Sequence, residues 1–276
     1  MNFKKIAAVL SMAGATVFSG AAFADPSITN LDGTKTPFGG FDWASGSAAW
    51  TSNFDVLHSN TFTLNYVGWA TAVTATNGNP LTQLYQFDNS ADGIANSLLQ
   101  SLGLGGSYEY TVVATLQEQI ISCDATFTSC KFQVTGGSFD IYYDTTANAN
   151  STSATWTGFN DGTKILSGSF NSGAITDFQN TTGGQANLTG QVTYTNNTYI
   201  NPNLVSTNVT STLQLGTAVT NFTAPTSVDG NSVGAGQIVF QADANQTFSS
   251  KVPEPASLAL VGLALGGVGF VARRRK

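Results

Sequence analysis

Between Asp25 and Ser250 the apolar residues recur with period two. Thr61-Phe62-Thr63-Leu64-Asn65-Tyr66-Val67 alternates polar and apolar side chains, the pattern of an extended strand with one face on a core and the other in water. Tyr108–Ile121 is rich in β-branched residues, and Phe132–Tyr143 in β-branched and aromatic ones, so both read as strands. Lys164–Phe170, Leu188–Thr195, Val209–Leu215 and Gln237–Phe248 read the same way. Turn signals separate them at Asn160-Asp161-Gly162, Thr182-Gly183-Gly184 and Asp229-Gly230-Asn231. Many strands with frequent turns predict an all-β domain, antiparallel and sandwich-like. One stretch differs: Gly93–Gly103 fits two or three helical turns ended by glycine. No fixed-period repeat calls for a solenoid or propeller.

The two ends of the chain are apolar without alternation. At the start, Lys4 and Lys5 precede a largely apolar run, Ile6–Phe18, and then small residues. Ala22-Phe23-Ala24 satisfies the A-x-A rule, which predicts a signal peptide over 1–24 cut between Ala24 and Asp25. The partners so implied are the Sec export machinery and signal peptidase. At the far end, Ala256–Ala272 holds 17 residues without a charge, the short end of what crosses a bilayer core of roughly 30 Å. Arg273, Arg274, Arg275 and Lys276 follow it, as the positive-inside rule expects of a cytoplasmic flank. Pro253 and Pro255 delay the helix start and hold Glu254 in an extended segment that an enzyme can grip. The chain therefore divides into 1–24, a β-rich extracellular domain over 25–250, and 251–276 as motif, transmembrane helix and basic tail.

Val252-Pro253-Glu254-Pro255, an apolar helix and Arg273–Lys276, in that order, resemble a PEP-CTERM sorting signal. The resemblance implies export from a Gram-negative bacterium that makes extracellular polysaccharide. It also implies processing near Pro-Glu-Pro by a membrane protease-transpeptidase of the exosortase type. Membrane residence through the helix is then transient, and the destination is the cell surface or matrix. A narrower likeness lies in Phe240–Phe248 leading into Val252-Pro253-Glu254-Pro255, and in Phe41-Asp42-Trp43. These resemble flocculation-associated PEP-CTERM proteins, which implies a matrix component that holds cells together in exopolysaccharide flocs, with no catalytic residues.

Charge adds an exclusion. The whole chain carries −6, but 15 of its 16 acids and only Lys35, Lys131 and Lys164 of its 10 bases lie between Asp25 and Ser250, a net −12 there. With no basic stripe to neutralise phosphates, nucleic acid is not an expected partner. Cys123 and Cys130 are the only cysteines, and export to an oxidising compartment predicts a disulfide at the base of a hairpin connection.

The candidate chemistry is sparse. His58 is the single histidine, and no G-x-S-x-G elbow occurs. Glu109, Glu118, Asp140 and Asp144 lie on or beside adjacent strands and are candidates for a carboxylate pair of the kind that hydrolyses glycosides. Asp88-Asn89-Ser90-Ala91-Asp92-Gly93 spaces oxygen ligands like part of a calcium loop, making Asp88 and Asp92 the metal candidates and calcium the candidate cofactor. It departs from that motif at Ser90 and in lacking the later bidentate Glu. Trp43 and Trp156, in Gly- and Ser-rich surroundings read as loops, could stack on sugar rings; the competing reading is core packing. The expectation is a non-enzymatic structural or adhesive protein whose partner is extracellular polysaccharide. A glycan-binding module is the alternative, and a polysaccharide hydrolase the third reading.

Overall fold

The alternation is realised as one sheet that closes on itself. The computed structural model describes residues 26–29, 33, 35–55, 60–74, 108–126, 128–179, 183–216, 222–234 and 237–249. All of its regular elements are strands: β1 (Ser27–Thr29), β2 (Lys35–Pro37), β3 (Gly40–Ser52), β4 (Thr61–Thr74), β5 (Glu109–Cys123), β6 (Ser129–Asp144), β7 (Thr155–Trp156) and β8 (Thr163–Phe170). They continue as β9 (Ile175–Gln179), β10 (Gly183–Thr195), β11 (Ile200–Asn201), β12 (Asn208–Gly216), β13 (Ser227–Val228), β14 (Asn231–Ser232) and β15 (Val239–Ser249).

The main sheet runs β12-β15-β3-β4-β5-β6-β8-β10, and β10 pairs back onto β12. These eight strands form a closed antiparallel barrel in which each strand neighbours the next one along the chain. β9 continues the line of β8, pairing with β6 at Ser129–Gln133 and with β10 at Gly183–Gln185. The all-β, antiparallel expectation holds, whereas the two-layer sandwich is replaced by a barrel. The physical reason lies in strand length and bulges. β3, β5 and β6 run 13, 15 and 16 residues, and the ladders β15–β3, β3–β4, β5–β6 and β6–β8 each carry register shifts. Bulges strengthen twist, and a long twisted sheet curls until its edges meet.

Period two then sorts side chains by side of the wall. Tyr110, Val112, Ala114 and Leu116 of β5 point inward, as do Phe139, Ile141 and Tyr143 of β6 and Ala186, Leu188 and Val192 of β10. Gly168 of β8 faces this interior at a place where a Cβ would strike the Phe139 ring, so only glycine lets that ring lie there. The middle of the barrel is filled, leaving a void of about 20 Å³. One end is closed by the small sheet β11-β1-β2 and its neighbours. There Phe38 meets Phe41 and Phe248 with ring centroids 5.1 and 5.5 Å apart, and Ile28, Ile200 and Leu204 complete the plug.

A second core lies on the outer wall. Ala44, Ala48 and Trp50 of β3 and Val67 and Trp69 of β4 are covered by Trp156, Phe159 and Val228, carried by the loop and sheet of β7, β13 and β14. Phe41-Asp42-Trp43 therefore sits inside a strand, and Thr155-Trp156 forms one, where the sequence suggested loops. The expected helix over Gly93–Gly103 lies outside the described residues. Among the described residues no helix is long and apolar enough to cross a membrane.

Candidate ligand cavity at the open end of the barrel

At the end opposite the plug, the interior opens into a cavity of about 450 Å³, within the range of small-molecule sites. Its wall is aromatic. Phe54, Phe62 and Phe132 meet edge to face at centroid distances of 5.0, 6.0 and 5.1 Å. Phe132 leans on Phe178 at 6.4 Å, and Phe178 on Phe240 at 5.2 Å. These five rings come from β4, β6, β9, β15 and the residue pair after β3, so the collar exists only once the barrel has closed. Ile238 stands at the rim and is 42% exposed.

Two polar groups interrupt this wall. Glu118 is 3% exposed and makes no hydrogen bond or ion pair with the described residues. It is placed inward by the phase of β5: it follows Tyr110, Val112, Ala114 and Leu116 at the same parity and stands opposite Phe62. Burial alone pushes its carboxyl up to about 7, because the charged form loses water and gains nothing. The Thr176 hydroxyl, on β9, is buried and has no hydrogen-bond partner. Lys131 and Asp177, on the neighbouring stretches of β6 and β9, face outward and pair with each other at 3.2 Å. Cys130 also lines the cavity, and it is bonded to Cys123 directly across β5 and β6. The expected disulfide is present, and it pins the hairpin at the mouth.

The other carboxylates are scattered. Glu109 lies nine residues from Glu118 on the same strand, about 30 Å away at an extended rise, so the two cannot flank one bond. It is buried, and its Oε1 accepts hydrogen bonds from the backbone N–H groups of Asn148 and Ala149, both at 2.9 Å. Burial raises Glu109 to about 7, against these hydrogen bonds and with added repulsion from Asp144 and Asp161. Asp144 accepts from the Thr146 backbone N–H, and Asp140 holds Lys164 at 2.8 Å and the Ser167 hydroxyl at 2.6 Å. Each is engaged in holding a loop or a strand pair.

Of the two readings of the tryptophans, burial matches core packing. Trp43 is 2% exposed and stacks on Phe41 at 4.9 Å; Trp156 is 1% exposed and stacks on Phe159 at 5.7 Å. Neither shows a face to a sugar, because the barrel interior buries the first and the outer layer the second. Asp88, Asp92, His58, Ala24, Asp25, Val252–Pro255 and Arg273–Lys276 lie outside the described residues. Among the described residues no cluster of three or more His, Cys, Asp or Glu could hold a metal ion.

The exterior of β10, β12 and β15 is a grid of polar side chains, all but Asp243 uncharged. The register sets Gln185, Gln214 and Asp243 in one row, Asn187, Thr212 and Asn245 in the next, and Thr189, Thr210 and Thr247 in the third. Cross-strand hydrogen bonds knit it: Thr212 Oγ1 donates to Asn187 Oδ1 at 3.3 Å and Gln214 Nε2 to Gln185 Oε1 at 3.4 Å. This polar exterior is the reverse of the apolar band on a barrel that faces lipid.

A family model, the PEP-CTERM protein-sorting motif, matches residues 251–276. The chain carries a PEP-CTERM sorting motif. That marks it as an exosortase-sorted protein, secreted by way of a membrane-anchored C-terminal signal of Gram-negative type. No curated protein and no solved structure matches it. The motif thus assigns a destination to the chain, while the barrel's work has to be read from its own surface and cavity. Sequence reasoning missed the cavity's phenylalanine collar, whose members lie far apart in the chain. A signal for Glu118 was there: it is the one charged residue in the inward phase of β5 after Tyr110.

Proposed function

We propose that the protein is an extracellular matrix component, delivered through its sorting motif and attached to polysaccharide in biofilm or floc through the outer face of the barrel. The observation that carries this reading is the grid on β10, β12 and β15, in which nine side chains in three rows include one carboxylate. Amide and hydroxyl groups about 4.8 Å apart across strands and about 7 Å apart along them offer a regular array of donors and acceptors to a polyhydroxylated chain. Each contact is weak, and attachment grows by multivalency. Barrel closure leaves no free edge on the eight main strands, so binding through faces replaces binding through sheet edges. The net −12 of Asp25–Ser250 repels acidic polysaccharide unless cations bridge or screen the two.

The test is co-sedimentation of purified protein with the producer's own exopolysaccharide. A triple variant, Asn187→Ala with Thr212→Ala and Asn245→Ala, should lose most of the bound fraction, and chelating divalent cations should lower it for the parent. His58→Ala should change nothing. Unchanged binding by a folded triple variant would count against this face.

A further inference from the structure

We propose that the cavity at the open end of the barrel binds a small organic cation, an apolar molecule carrying a protonated amine, with Glu118 as its counter-ion. Three features of the cavity ask for this chemistry. The first is volume and lining: about 450 Å³ enclosed by Phe54, Phe62, Phe132, Phe178 and Phe240 takes an apolar body of small-molecule size. The second is the unpartnered carboxyl. Glu118 is buried without a hydrogen bond or ion pair from the described residues, in a family of inward positions that are otherwise apolar. A buried carboxylate is stabilised only when a counter-charge or donors reach it, and here the wall supplies neither. The ligand would bring both, since an ammonium group is a charge and a multiple donor.

The third feature is the aromatic collar. Ring faces attract cations, and aromatic side chains that enclose a site are used to recognise ammonium groups. The sign of the surrounding charge works in the same direction, because a domain at −12 concentrates cations near its mouth. Thr176, with its buried hydroxyl unpartnered, lies two strands from Glu118 on the same wall and can accept a second hydrogen from the ligand. Among the described residues lining the cavity Glu118 is the only one that ionises. From the strands packed beside it, Lys131 and Asp177 face outward and neutralise each other.

Phenylbutylamine and phenylbutanol share one apolar body and differ in the charge of the head group, which makes them the probe pair. Titrate both into the purified full chain, disulfide intact, by calorimetry at pH ~5.5 and ~8.5, on either side of the Glu118 transition near 7. The amine stays protonated throughout, with a pKa near ~10. The amine should bind about tenfold more tightly than the alcohol at the higher pH, and that preference should shrink severalfold at the lower one. Glu118→Gln, nearly the same shape without the charge, should erase the preference and leave alcohol binding within about twofold. The pH comparison uses the unmodified protein, so it decides the matter even if the variant folds poorly. Equal binding of amine and alcohol at both pH values, binding of neither, or a preference that survives in folded Glu118→Gln would overturn the proposal.

Discussion

Phe62 on β4 and Glu118 on β5 stand directly opposite each other, both turned into the barrel, so an ionisable group shares its surroundings with a phenyl ring. The pairing has a measurable cost. In the unfolded chain the Glu118 carboxyl titrates near its ordinary value, whereas in the folded barrel it titrates near 7. Between those two values the native state holds more protons than the unfolded state. Stability therefore falls as pH rises through this window and levels off above it. Glu109, raised to about 7 as well, adds a term of the same sign. Chemical denaturation from pH ~4.5 to ~8 should show a decline of roughly 3 kcal/mol for each group. Glu118→Gln should remove about half of that slope. A stability that is flat or rises over the same range would contradict the burial of these groups.

The Cys123–Cys130 bridge closes a short loop, the two residues being seven positions apart. Restricting so short a loop in the unfolded chain is worth about 2 kcal/mol. The double variant Cys123→Ser with Cys130→Ser should unfold at correspondingly lower denaturant while remaining a folded β protein. Thiol labelling of the denatured, unreduced parent should find no reactive cysteine. Two labelled thiols would mean that the mouth hairpin is not covalently pinned.

Trp43 and Trp156 serve the two cores. Replacing either by Ala removes a buried indole and should cost on the order of 3–5 kcal/mol. Thermal melts check this, and carbohydrate binding measured on whichever variant stays folded provides the contrast. A variant with parental stability and lost sugar binding would restore the stacking role that burial denies.

The sorting motif predicts a processed product. Protein recovered from the extracellular fraction should lack Arg273–Lys276, and peptide mass spectrometry of its C-terminus reads this directly. Released protein that still ends in Arg273-Arg274-Arg275-Lys276 would speak against exosortase processing.

Much of this architecture is written in local pattern. The start of β4 and the long strands β5, β6, β10, β12 and β15 show their alternation because one face meets the core and the other largely meets water, and that asymmetry is recorded residue by residue. The sorting motif is equally local, since triplet, apolar run and basic end stand in one continuous segment. The Cys123–Cys130 pair was readable because a hairpin sets its two strands opposite each other. β3 was not readable: it is buried on both faces, inward through Phe41 and Trp43 and outward through Ala44, Ala48 and Trp50, so the alternation disappears. Closure belongs to tertiary structure as well, because whether a sheet folds against another or onto itself depends on accumulated twist and bulges, which no single segment contains. The same holds for the cavity. The sequence alone placed a glutamate in the inward phase of β5, but only the meeting of β4, β6, β9 and β15 around it surrounds that carboxyl with phenyl rings and removes its water.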